Sequence, residues 1–163
     1  MTSQDAVRLA KLPCELFRFE GDGNTVSLRL DSLDHRHDGT AVQARGTFEI
    51  DCGSLSAGRG VRGILPTFVS SEDVDAWQKV LDSLDMGYDV AWRENLRADE
   101  VHLRWEGDDL LIVSVRDRMG LLTEVTTAVP VSDEWFDDAY HRLERVYEVF
   151  ERRSPPRSEV SNA

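Results

Sequence analysis

No apolar run in this sequence approaches the roughly 20 residues that a membrane-spanning helix needs. The opening stretch, M-T-S-Q-D-A-V-R-L-A-K-L, lacks the apolar core of a secretory signal. The expectation is a cytoplasmic protein with no membrane contact. Cysteine is scarce: Cys14 and Cys52 form neither a metal-ligand spacing nor a disulfide framework. In a reducing compartment such thiols stay free, buried or half-buried. Positive charge is in deficit, with 19 Lys and Arg against 31 Asp and Glu and a net charge of −12. Nucleic-acid binding needs a basic footprint to displace counterions, so no nucleic-acid partner is expected. A basic, toxin-like protein partner fits, because opposite charge steers encounter. The simpler explanation of the acidity is solubility alone.

Catalytic motifs are missing too. The small-residue stretch G-S-L-S-A-G-R-G from Gly53 to Gly60 lacks the Lys and Ser/Thr spacing of a phosphate-binding loop, and no strand–helix unit follows it. No G-x-S-x-G elbow occurs to anchor serine hydrolase chemistry. One stretch, Asp34-His35-Arg36-His37-Asp38, carries metal-capable side chains at i, i+2 spacing. A solvated polar loop accounts for it as well, and no partner motif stands elsewhere. Paired acids such as Asp108-Asp109 and Asp137-Asp138 fall at turns and helix starts, where capping alone places them. No catalytic residue, metal ligand or cofactor site is therefore expected.

What is present is a well-patterned globular chain. Its 163 residues suit one domain, and roughly 70% of the unfolded surface can be buried at such a size. The expected domain is 12–152, with a disordered tail at 153–163 around Pro155-Pro156. A helix is predicted from Ser70 or Ser71 to Gly87. Val74, Trp77, Val80, Leu81 and Leu84 make its apolar stripe, Glu72, Asp73 and Asp75 its acidic first turns, and Gly87 its stop. Moving 62 positions on, Val69, Ser70, Glu72, Asp75 and Leu81 fall on Val131, Ser132, Glu134, Asp137 and Leu143. The second helix starts at Ser132 and continues through Tyr147 and Phe150 towards Arg153. The coincidence points to an internal duplication, although amphipathic helices share one grammar.

Strands fill the rest. Cys14–Glu20 and Val26–Asp31 flank Gly21-Asp22-Gly23-Asn24 as a hairpin. Val42–Ile50 alternates as a third strand, and Val61–Phe68 is a fourth, with Pro66 marking an edge or a bulge. Tyr88–Arg93, Val101–Glu106, Leu110–Val115 and a strand ending at Val129 follow the first helix. Leu110–Val115 is apolar on both faces and so belongs in the middle of a sheet. The fold class is α+β, with antiparallel sheet and two long amphipathic helices in the order ββββα-ββββα, both helices on one apolar face. The alternation does not decide between one sheet and two.

Four residues are candidates for partner binding. Trp92 and Arg93 end a short strand where an aromatic ring can be exposed, while Trp77 and Trp105 lie on apolar stripes. Asp82 and Asp85 stand off the helix stripe, on the side where a basic partner would dock. The string D-V-D-A-W-Q-K-V-L-D-S-L-D-M-G-Y-D-V-A-W (Asp73 to Trp92) resembles a small actinobacterial family known only as a domain of unknown function. The strings V-R-D-R-M-G (Val115 to Gly120) and W-F-D-D-A-Y-H-R-L-E-R-V (Trp135 to Val146) resemble it too. The likeness covers most of the chain from about Phe17 to Glu151 and implies no catalytic residue. More loosely, the repeated strands-then-helix pattern is similar to WapI-type immunity proteins, small acidic proteins that neutralise a toxin by binding it. That resemblance implies a non-enzymatic protein-binding module. The competing expectations are a small-molecule-binding protein or enzyme with a site between helices and sheet, and a self-associating subunit.

Overall fold

A computed structural model describes residues 11–38, 41–53, 58–120 and 122–151. The tail 153–163 and the end of the second helix beyond Glu151 lie outside the described residues. Ten elements follow in order: β1 (Cys14–Gly21), β2 (Asn24–His35), β3 (Ala41–Cys52), β4 (Val61–Ser70), α1 (Ser71–Asp85), β5 (Val90–Trp92), β6 (Glu100–Glu106), β7 (Leu110–Arg116), β8 (Glu124–Pro130) and α2 (Asp133–Glu151). The order is ββββα-ββββα, as the patterning predicts. The strands make two antiparallel four-stranded sheets, β1-β2-β3-β4 and β5-β6-β7-β8.

Local chemistry accounts for most of these elements. Asp22 and Gly23 both take positive φ (52° and 80°) in a two-residue turn that keeps the strand twist, and Gly21 pairs with Asn24. A register shift between Glu15 and Phe17 lets Leu16 and Phe17 both face inward, each fully buried. Pro66 lies on β4, an edge strand, where proline is tolerated. β7 is central in its sheet, yet only Leu111, Val113 and Val115 are buried, and its other face is half covered. His35 ends β2 opposite Ala41, so the polar loop begins later than the sequence pattern implies.

The helices are bound to both sheets. Ser70 Oγ accepts the Asp73 N–H at 3.1 Å and Asp73 Oδ2 accepts the Ser70 N–H at 3.0 Å, a reciprocal box that starts α1. Trp77 then reaches the centre of the core, its ring 4.8 Å from Phe17 on the first sheet and 5.8 Å from Trp92 on the second. α2 follows the second sheet but runs along β1 of the first, where Trp135 Nε1–H donates to the Arg18 carbonyl at 2.8 Å. Its Phe136 ring lies 6.4 Å from Trp105 on β6.

The two sheets also touch directly. Asn24 Nδ2–H donates to Ala128 O at 3.0 Å, and a Cβ on Gly21 would stand 2.7 Å from the Pro130 ring. One continuous core results, with Leu28, Phe48, Trp77, Trp92, Leu103 and Val113 among its members. No helix among the described residues is long and apolar enough to cross a membrane.

Candidate functional site

The last turn of α1 departs from what helix stability favours. The C-terminal end of a helix carries partial negative charge, so cations belong there. Here Asp82 and Asp85 occupy that turn and no basic residue does. Each unfavourable carboxylate costs a few tenths to about 1 kcal/mol at an exposed helix end. The turn is nevertheless well built. Gly87, at φ 90°, lets its own N–H reach Leu84 O at 2.9 Å and the Tyr88 N–H reach Ser83 O at 3.1 Å, a complete Schellman motif. Asp89 Oδ1 then accepts the Trp105 N–H at 2.9 Å, tying the chain to β6 just beyond the three-residue β5. This rigid turn presents Met86 and Tyr88, 70% and 60% exposed, beside the two aspartates.

The acids continue across the helical layer. α1 and α2 together carry twelve carboxylates against three Lys and Arg. Tyrosines of α2 hold some of them. Tyr140 Oη–H donates to Asp82 Oδ1 at 2.7 Å, and the Tyr147 hydroxyl lies 2.8 Å from Asp75 Oδ1 and 3.0 Å from Gln78 Oε1. Burial, reinforced by the Asp75 acceptor, pushes the Tyr147 phenol up to about 12, and burial with Asp82 drives Tyr140 upward too. The outer strand faces differ, because their cations are paired locally: Arg29 with Asp31 and Glu49, Arg104 with Glu106, Arg116 with Glu124. The strand faces therefore carry both signs, whereas the helical side is acidic.

Trp92 and Arg93 require correction. Trp92 is fully buried, and its Nε1–H donates to Asp73 O at 2.9 Å, at the start of α1. Arg93 is 5% exposed with φ 59°. Its guanidinium donates to Phe68 O (2.7 Å), Thr67 Oγ1 (2.9 Å) and Asp99 O (3.0 Å) and lies 4.3 Å from the Trp92 ring centroid. Burial pulls its pKa down, against the upward pull of Asp73 and Asp99. The pair is therefore a brace holding the β4 edge to the second sheet, inaccessible to a partner. It stands at the opposite end of α1 from Asp82 and Asp85, so the four candidates do not form one surface.

Sequence reasoning also missed a group of buried charges in the loops after β5 and β7. Glu100, 2% exposed, accepts the Asn95 N–H at 3.2 Å and lies 2.8 Å from His102 Nε2 and 3.2 Å from Arg118 Nε. The contact with His102, with help from Asn95 and Arg118, holds its carboxyl below the usual range. Asp117 Oδ1 caps the Met119 and Gly120 N–H groups at 2.9 and 3.1 Å. Asp99 is 1% exposed, its Oδ1 has no hydrogen-bond partner, and burial raises its pKa. The visible hint is the quoted V-R-D-R-M-G string, which alternation assigns to a turn.

Burial pushes the Cys14 thiol up to about 11, which leaves it protonated and a poor nucleophile at neutral pH. Among the described residues, no group of three or more His, Cys, Asp and Glu is arranged to hold a metal ion.

The fold thus defines an acidic α+β protein of two antiparallel sheets that share one core with two helices. Residues 14–151 match one family model, and the chain belongs to that family, described as Family of unknown function (DUF5959). No curated protein and no solved structure matches the chain. Nothing in these comparisons links it to WapI-type immunity proteins.

Proposed function

We propose that the protein is a non-enzymatic binding module that receives a basic protein partner on the last turn of α1. One observation carries the reading: Asp82 and Asp85 oppose the helix dipole beside exposed Met86 and Tyr88, on a turn fixed by its own backbone bonds. A local rule broken on one element and partly offset from another, as Tyr140 offsets Asp82, is expected where function needs it. Acids at the rim steer a basic partner, and a Met and a Tyr supply the apolar contact that interface centres favour. Neutralisation of a toxin-like protein by binding, the immunity-type role, is the finer form of this reading.

The test is a pull-down from the native host, then association kinetics of the recovered partner with wild type and an Asp82→Lys/Asp85→Lys variant. The variant should associate roughly tenfold more slowly at low salt and lose most of its salt dependence. Its circular dichroism should be unchanged. Association that is unaltered at low salt would remove this turn from the interface. A small-molecule-binding protein or enzyme is the second reading. It draws on a cavity of about 440 Å³ between α2 and the first sheet.

A further inference from the structure

In a chain of net charge −12, that cavity is lined by five cations, Lys11, Arg18, Arg29, Arg142 and Arg145, and by two carboxylates, Glu15 and Glu49. The fold assembles them from separate places: the segment before β1, strands β1, β2 and β3, and one face of α2 where it runs along the β1 edge. Arg18 and Arg29 are already committed. Arg18 is held by Glu15 and Glu20 at 3.3 and 2.9 Å, and Arg29 by Asp31 and Glu49. Of the other three, Arg142 is only partly held and two are not held at all. Arg142 stands 3.7 Å from Glu15, which it shares with Arg18, while Lys11 and Arg145 make no ion pair among the described residues.

We infer that this cavity binds a small molecule bearing a phosphate monoester, with Arg142, Arg145 and Lys11 taking the phosphate beside the fixed Arg18 and Arg29. Lys11 and Arg145 have no counter-charge of their own and Arg142 has only a share of Glu15, so positive charge stays in excess around this space unless a further anion joins it. A phosphate monoester brings close to two negative charges and three strong acceptor oxygens, against one charge and two oxygens for a carboxylate. Guanidinium groups engage such oxygens two at a time. The cavity volume lies within the roughly 300–1,000 Å³ of small-molecule sites, leaving space for the organic part of the ligand. The half-buried Cys14 also lines the cavity. This inference does not depend on the basic-partner reading, whose turn lies on α1.

Calorimetric titration with phenyl phosphate, inorganic phosphate, benzoate and phenol tests it. Phenyl phosphate should bind one-to-one, more tightly than inorganic phosphate and at least tenfold more tightly than benzoate, with affinity falling as salt rises. Phenol should not bind. Arg142→Glu and Arg145→Glu, both on the open side of α2, should each weaken phenyl phosphate at least tenfold. Arg62→Glu, on the remote β4 edge, should leave binding unchanged. In a Cys52→Ser background, phenyl phosphate should slow alkylation of Cys14 at alkaline pH, which locates the ligand without any charge change. No saturable binding of phenyl phosphate at millimolar concentration overturns the site. Equal affinity for benzoate overturns the phosphate class. Binding that survives both α2 substitutions, or that leaves Cys14 alkylation unaltered, overturns the location.

Discussion

The two halves of the chain share one element order but are held together by different means. The first sheet has strands of 8, 12, 12 and 10 residues, and the second has strands of 3, 7, 7 and 7. Among the described residues the first sheet buries one polar side chain, Ser27, while the second half buries Arg93, Asp99, Glu100 and Asp117. Long ladders and aromatic packing suffice for the first half. The second has fewer ladder bonds, and its loops are fastened by buried charges that meet each other and the backbone. Arg93 even reaches across to β4, so the shorter half also closes an edge of the longer one.

Trp77 belongs to both halves, and its removal should cost most. Trp77→Ala should lower stability by about 3–5 kcal/mol, read from urea unfolding, because a fully buried aromatic leaves a cavity. Trp77→Phe should cost much less, since the indole Nε1 has no partner to lose. A Trp77→Ala loss under about 1 kcal/mol would show that this residue does not join the halves.

Arginine substitutions sharpen the contrast. Arg93→Ala should cost about 3 kcal/mol, since it removes the three hydrogen bonds that a buried guanidinium makes to Phe68 O, Thr67 Oγ1 and Asp99 O. Arg29 makes two ion pairs at a more open position, 38% exposed, and Arg29→Ala should cost under about 1 kcal/mol. Equal losses would erase the distinction between the halves. Glu100→Gln falls between, at about 1–2 kcal/mol, because the amide keeps the shape but loses the charge facing Arg118 and adds a donor near the Asn95 N–H.

The sequence exposed one side of this contrast and hid the other. Alternation of Val26, Leu28 and Leu30, the stripe through Trp77 and Leu81, the Asp22-Gly23 turn and the Gly87 stop are local signals, and each element stands where they point. Sheet partition is a non-local fact, since α1 separates β4 from β5 and no hairpin signal spans it. Trp92 was opaque for a related reason. A three-residue strand is too short to show a period of two, and the burial of this ring comes from Asp73 and Trp77 on another element. Arg93, Asp99 and Glu100 sit in a stretch, R-E-N-L-R-A-D-E, whose polarity reads as solvated loop. Only the folded chain shows the acceptors that let these charges be buried. For the proposed partner surface, Asp82 and Asp85 stand out in the sequence as exposed acids, but Met86 and Tyr88 beside them become candidates only through the Schellman turn.

The smallest expected effect lies where the helices of the two halves meet, and it shows only in alkali. Tyr147 on α2 has its ordinary pKa of 10.0 raised to about 12, first by burial and then by Asp75 on α1. A phenol with a higher pKa in the folded state favours folding fully below pH about 10 and loses that contribution as pH climbs towards about 12. Wild-type stability should therefore decline through this window. Tyr147→Phe removes the titrating hydroxyl along with its contacts to Asp75 and Gln78, so the variant should start slightly less stable at pH 8 and decline less steeply above pH 10. Tyr140 shifts in the same direction, so a Tyr140→Phe/Tyr147→Phe double variant should be flatter still. Urea midpoints measured at pH 8, 10 and 11 for the three proteins decide the matter. Parallel declines in all three would mean that the tyrosines do not link α2 to α1. The seam between the halves would then rest on the aromatic core around Trp77 and on the Arg93 brace.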